Sequence, residues 1–156
     1  MLLLTFHIGP TRFVIDARRV SQVVPRVPLR TLPLSDPCVA GLLDFRGAAL
    51  AVVDLSTRLF GTACTSRLST RIMIVRIKHK DREVPLGLIA EQVTELCRAD
   101  VPVTSGSVAG SPAPGAPQQD CLGPIVRVDG VLAQWIEVDR ILPESVRLQI
   151  FDEILE

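Results

Sequence analysis

Two apolar periods run along this chain, and the shorter one, of two residues, governs most of it. Leu2, Leu4, Phe6 and Ile8 alternate with Leu3, Thr5 and His7, the pattern of a strand with one face on a core. Gly9-Pro10 breaks the run and Phe13 to Ile15 returns it, predicting a hairpin. Asp16 then stands where a helix cap is wanted, Val20, Val23 and Val24 follow at i, i+3, i+4 spacing, and Pro25 stops the pattern; a short helix is predicted. Prolines at 25, 28, 33 and 37 favour an extended edge segment after it.

The most informative stretch is residues 39 to 55. Leu42 to Phe45 and Ala48 to Val53 are apolar runs of strand length with Arg46-Gly47 between them, which predicts a hairpin carrying Arg46 at its tip. Gly47 takes a positive φ at no steric cost there. Asp54 can cap a short helical turn, Leu55 to Phe60, with Gly61 as its C-terminal stop. Ile72 to Ile77 and Val84 to Ile89 read as strands around a charged turn, His79 to Glu83, and a second helix is predicted over Ala90 to Arg98 with Val93, Leu96 and Cys97 inward. Strand, turn, strand and short helix thus occur twice, at 2–24 and 72–98, suggesting two similar small barrels. Thr104 to Gln119, rich in Ser, Gly, Ala and Pro, reads as a surface loop. Cys121 to Val128 and Val131 to Val138 flank Asp129-Gly130, a pair suited to a type I′ turn. Trp135 in the second of these strands is a core or subunit-facing anchor. After Pro143, a closing helix with Val146, Ile150, Phe151 and Ile154 on one stripe finishes its own barrel or docks on a partner.

Composition narrows the class. At 156 residues the chain has the length of one domain or of two small subdomains sharing a core, and 47% hydrophobic residues allow that core to be large. The longest apolar run is strand-sized, far below the ~20 residues of a membrane-spanning helix. Leu2 to Leu4 lack the basic and extended apolar regions of a signal peptide, so a cytoplasmic protein is expected. Cys38, Cys64, Cys97 and Cys121 have no close pairs of the zinc or redox kind and read as reduced thiols. With 17 basic and 17 acidic side chains, no overall field attracts nucleic acid, and the one basic cluster is Lys78-His79-Lys80.

Catalysis finds little support. There is no Gly-x-Ser-x-Gly elbow, no Gly-rich phosphate loop and no histidine in a motif with a nucleophile. His7 reads as a hydrogen-bonded or solvated strand residue, and Asp44 and Asp54 as capping or Arg-pairing carboxylates. No enzyme, metal or cofactor is expected. Arg46 is either a solvated turn residue or a recognition anchor.

Residues 41 to 55 resemble the Gly-x-x-Asn-x-Arg-Gly-x-x-x-Pro-x-x-Asp-Leu signature of CheW-like coupling proteins, here Gly41, Asp44, Arg46, Gly47, Ala51, Asp54 and Leu55. Asp44 replaces the usual Asn and Ala51 the usual Pro. The family's Val-x-Glu pattern after strand two meets Val20 and, in place of Glu, Gln22. The resemblance implies a mainly β fold over residues 1–156: two SH3-like five-stranded β-barrels sharing a hydrophobic core, with short helices, a C-terminal helix and a groove between the barrels. It implies a non-enzymatic adaptor that couples a methyl-accepting chemoreceptor's cytoplasmic tip to the regulatory domain of a CheA-type histidine kinase, without membrane insertion. The residues it brings to partner binding are Val20, Gln22, Val39, Gly41, Asp44, Phe45, Arg46 and Gly47. Similar sequences also serve accessory pathways, including Wsp-type surface sensing, toward which the runs 68–71, 122–124 and 134–136 lean. Two other readings stand beside it: an SH3-like or OB-like module with unrelated protein or nucleic-acid partners, and a small enzyme with an unrecognised site.

Overall fold

The computed structural model describes residues 2–32, 36–61, 70–98 and 121–154. Their strands are β1 (Leu2–Ile8), β2 (Thr11–Asp16), β3 (Val20–Pro25), β4 (Val39–Phe45), β5 (Ala48–Asp54), β6 (Thr70–His79), β7 (Arg82–Arg98), β8 (Leu122–Val128) and β9 (Val131–Ile136). The short helices α1 (Leu55–Phe60) and α2 (Glu144–Leu148) complete the regular structure, the latter running on into π-helical turns over Gln149–Ile154.

The organising element is β7, 17 residues long, because it belongs to two barrels. Its first half pairs antiparallel with β6, from His79↔Arg82 to Thr70↔Glu91, and parallel with β5, from Val52↔Gly87 to Asp54↔Ile89. Its second half pairs with β1, from His7↔Glu91 to Leu2↔Arg98. Glu91 is the hand-over point, facing Thr70 on one side and His7 on the other. The next residue, Gln92, has a φ of 48°, and the register of β1 slips between Thr5 and His7 opposite it. Such a bulge bends a strand out of one sheet and into another. The result is two five-stranded sheets, β4-β5-β7-β6-β3 and β7-β1-β2-β9-β8, with β7 in both. A bridge between Arg30 and Leu42 brings the segment after β3 back to β4 and closes the first barrel.

Three apolar clusters follow from this layout. Leu43, Leu50, Val52, Ile72, Ile74 and Ile89 fill the first barrel; Leu3, Val14, Val126, Val128 and Ala133, with Trp135 against them, fill the second. Between the barrels lies the largest cluster, which takes the opposite faces of the same strands: Phe6 and Ile8 of β1, Ile15 of β2, Ala51 and Val53 of β5, Met73 and Val75 of β6. Strands buried on both faces must be apolar at nearly every position. That is why β5 and β6 read as continuous runs.

The turns form as their sequences dictate. Arg46 and Gly47 have φ of 53° and 83°, Lys80 and Asp81 of 47° and 60°, and Asp129 and Gly130 of 50° and 78°, so these three two-residue turns have the paired positive φ of a type I′ turn. Asp54 accepts from the N–H groups of Ser56 and Thr57 at 3.0 and 3.4 Å, and Gly61, φ 79°, ends α1.

Both predicted helices at the ends of the repeat are strands instead. Asp16 does accept from Arg18 N–H at 3.0 Å, but what it caps is a single 3₁₀ turn, Ala17–Arg19, after which β3 begins. Three β-branched valines favour the pleated state, an isolated helix of this length is marginal, and the edge of β6 offers partners from Val20↔Val75 to Pro25↔Arg71, with one register shift between Val20 and Gln22. Ala90 to Arg98 likewise continues β7, because β1 would otherwise expose an edge. Leu96 is therefore 62% exposed rather than inward, while Val93 packs on the inter-barrel core. The side chain of Cys97, Cys64 and the loop at 104–119 lie outside the described residues. Cys38 and Cys121 are buried free thiols, and burial together with neighbouring Asp36 pushes Cys38 up to about 12, keeping it protonated.

The closing helix docks on its own chain: Val146, Ile150 and Phe151 enter the inter-barrel core. His79, which the sequence places in a charged turn, is buried against the Phe151 ring, with Nε2 3.0 Å from Asp152 Oδ1; Lys80 pairs with the other oxygen of the same carboxylate. A second polar tie sits at Asp139, just before α2. It accepts from Arg19 Nη1 at 3.2 Å and from Lys78 N–H at 2.9 Å, while Arg19 Nε also donates to Arg76 O at 3.0 Å. Burial pushes the Asp139 carboxyl up, but the Arg19 and Lys78 hydrogen bonds outweigh it and hold the group below its ordinary 3.8. A carboxylate with a depressed folded pKa stabilises fully above the unfolded value, and that contribution disappears as pH falls through the folded one. Asp139→Asn is thus expected to cost about 1 kcal/mol at neutral pH, given its partial exposure, and to flatten the loss of stability below about pH 4. Urea unfolding across the acid range measures both.

Candidate partner-binding surface

Five of the eight residues singled out in the sequence meet at one end of the first barrel. The β4–β5 turn projects Arg46, whose side chain is exposed; its Cζ lies 4.9 Å from the centre of the Phe45 ring, and Nη2 donates to Gln22 Oε1 at 3.0 Å. Phe45 is half-buried against the core of the first barrel. The guanidinium therefore lies over an aromatic face and is tied to β3, a strand 24 residues away in sequence, so its direction is set within the chain itself. Asp44 is exposed on β4 beside the turn, opposite Ala49. Gly47 supplies the second positive φ and has open space around it.

The other three lie elsewhere. Val39 and Val20 start β4 and β3 and pack, half-buried, against the inter-barrel core. Gly41 is buried at a bulge in β4 with φ 153°. A Cβ there would lie 2.6 Å from Arg30 O and 3.0 Å from Leu29 Cβ. The missing side chain admits the backbone of Arg30, which exchanges hydrogen bonds with Leu42 at 2.8 and 2.9 Å. Gly41 shapes the surface without being on it.

Gln22 occupies the place where its resemblance would put a glutamate. Gln22→Glu turns a neutral hydrogen bond into an exposed ion pair with Arg46, with an expected gain of about 0.5 kcal/mol that fades with salt. A double-mutant cycle with Arg46→Ala isolates it; the gain must vanish in the alanine background.

One feature the sequence reading missed is a cleft of about 720 Å³ between α1 and the segment around α2, lined by Asp36, Cys38, Arg58, Asp139, Arg140 and Arg147 among others. None of the eight residues above lines it. Its signal in the sequence was the i, i+3 pair Leu55 and Arg58, the two buried residues of α1. Among the described residues no group of three or more His, Cys, Asp or Glu side chains is arranged to hold a metal, and no helix is long and apolar enough to cross a membrane.

Residues 2–146 match the family model of the CheW-like domain. The chemotaxis protein CheW of Rhizobium meliloti (strain 1021) is 21% identical over 146 residues, covering 93% of this chain and 89% of that protein. The chemotaxis protein CheW of Thermotoga maritima is 22% identical over 141 residues, 90% and 87% of the two chains. The crystal structure of the scaffolding protein TtCheW from Thermoanaerobacter tengcongensis shares the fold with a TM-score of 0.71 and 22% identity, over 91% of this chain and 87% of that one.

Proposed function

This chain belongs to the CheW-like family, and we propose that it is a cytoplasmic, non-enzymatic adaptor that couples a methyl-accepting chemoreceptor to a CheA-type histidine kinase at membrane-associated receptor arrays. The observation that carries the reading is the preset tip of the first barrel, where Arg46 is held over Phe45 and tied to Gln22. An exposed guanidinium beside a partly buried aromatic ring suits a protein partner: the ring and its neighbours supply apolar area and the fork fixes register.

In this reading one barrel pairs with the kinase's regulatory domain and the groove between the barrels takes the receptor's cytoplasmic hairpin tip. Val20 and Val39 border that docking region, Gln22, Asp44, Phe45, Arg46 and Gly47 present the tip, and Gly41 sets the path of β4. No bond is made or broken; the protein acts by holding two partners in one geometry. Calorimetric titration of the purified chain with the cognate kinase's regulatory domain and with a receptor tip fragment tests it. Saturable one-to-one binding to each is expected, and failure to bind either rejects the adaptor role.

A further inference from the structure

Arg58 is an anomaly. Only 7% of it is exposed, yet among the described residues its side chain makes one hydrogen bond, from Nε to the Ile141 carbonyl oxygen at 2.6 Å, and pairs with no carboxylate. A guanidinium withdrawn from water without a counter-charge is costly. Arg58 forms part of the cleft wall, and so does Arg147, whose Nη1 donates to Asp139 O at 3.2 Å while its Nε is buried and makes no hydrogen bond.

The acids of the cleft do not supply what is lacking. Asp36 accepts from Cys38 N–H at 3.0 Å. Asp139 is engaged by Arg19, which lies outside the cleft, and by Lys78 N–H. Glu144 is exposed on the rim. Among the described residues three arginines and three acids line the space, and with Asp139 neutralised from outside, one positive charge of that set is left over. A single carboxylate balances that excess, whereas a phosphate dianion would bring a second negative charge up against Asp36 and Glu144.

We propose that the cleft between α1 and α2 is a carboxylate-binding site in which Arg58 and Arg147 pair with one carboxylate presented from outside the chain. Arg58, fixed by its bond to Ile141, offers its remaining N–H groups as a preset fork. At about 720 Å³ the space accepts a small acid or an acidic side chain carried on a peptide. The cleft shares no residue with the hairpin tip, so the site stands or falls independently of the docking role proposed for Arg46.

The test is a titration of the ¹⁵N-labelled protein, following the side-chain Nε–H resonances of Arg58 and Arg147. The probes are N-acetylglutamate amide, an uncharged glutamine analogue of it, and a capped peptide with one central glutamate. The glutamate probe is expected to shift both resonances saturably and the glutamine probe to leave them in place. Arg58→Lys, which keeps the charge and loses the fork, and Arg147→Gln are each expected to weaken binding about tenfold. Tighter binding of the peptide identifies a protein-borne carboxylate, and equal binding a free acid; either supports the site. Absence of a saturable shift with both acidic probes, an equal shift with the glutamine probe, or unchanged affinity in both variants overturns it.

Discussion

Gly41→Ala is expected to destabilise the protein by about 3 kcal/mol, the largest stability loss of any single-methyl addition in the first barrel. Two costs combine. The residue sits at φ 153°, where an L side chain is strained, and the new methyl would lie 2.6 Å from a backbone oxygen rather than from the yielding end of a side chain. Relief requires the Arg30–Leu42 bridge to open, and that bridge closes the first barrel. Gly47→Ala is the matched control. Its φ of 83° is also positive, but nothing lies within 4 Å of the added methyl, so only the conformational cost of about 1 kcal/mol applies. Urea unfolding of the two variants separates them; equal losses would show that the close approach of Arg30 does not matter.

What the sequence made legible was whatever is decided within a few residues. Arg46-Gly47 and Asp129-Gly130 fixed their hairpins because a positive φ is a local demand, and Asp54 and Gly61 bounded α1 by satisfying that helix's own terminal groups. The segments at 16–24 and 90–98 carry a helix-like pattern yet fold as strands for the opposite reason. Valine triplets and short apolar runs fit a helix face and a strand equally, and the arbiter is a partner far along the chain: β6 for β3, and β1 for the end of β7. The site divides in the same way. Arg46 and Phe45 announce themselves as neighbours in a turn, but their tie to Gln22 rests on β3 being a strand, since its residues are placed by pairing with β6. The cleft draws on residues 36–38, 57–61 and 139–147, three stretches that only the packed fold brings together. Arg58 was hidden twice over, as an arginine on the buried face of a six-residue helix whose partner is a backbone carbonyl 83 residues away.

Arg46→Ala is expected to weaken binding to at least one of the two proposed partners by about 30-fold, corresponding to about 2 kcal/mol, with little change in melting. Melting should hold because the side chain is exposed, its bond to Gln22 lies at the surface, and alanine tolerates the φ of 53° no worse than arginine does. Binding should suffer because the guanidinium is already oriented: lying over Phe45 and bonded to Gln22, it loses little freedom on docking, and as an exposed side chain it can donate to a carboxylate or carbonyl. Gln22→Ala removes the tether and leaves the charge, so its effect should be smaller, about threefold, and confined to the same partner. Calorimetric titration of each variant against the kinase's regulatory domain and the receptor tip reads both effects. Unchanged affinity of Arg46→Ala for both partners would remove the hairpin tip from the docking surface, and a collapse in melting would make Arg46 a structural residue of its own barrel.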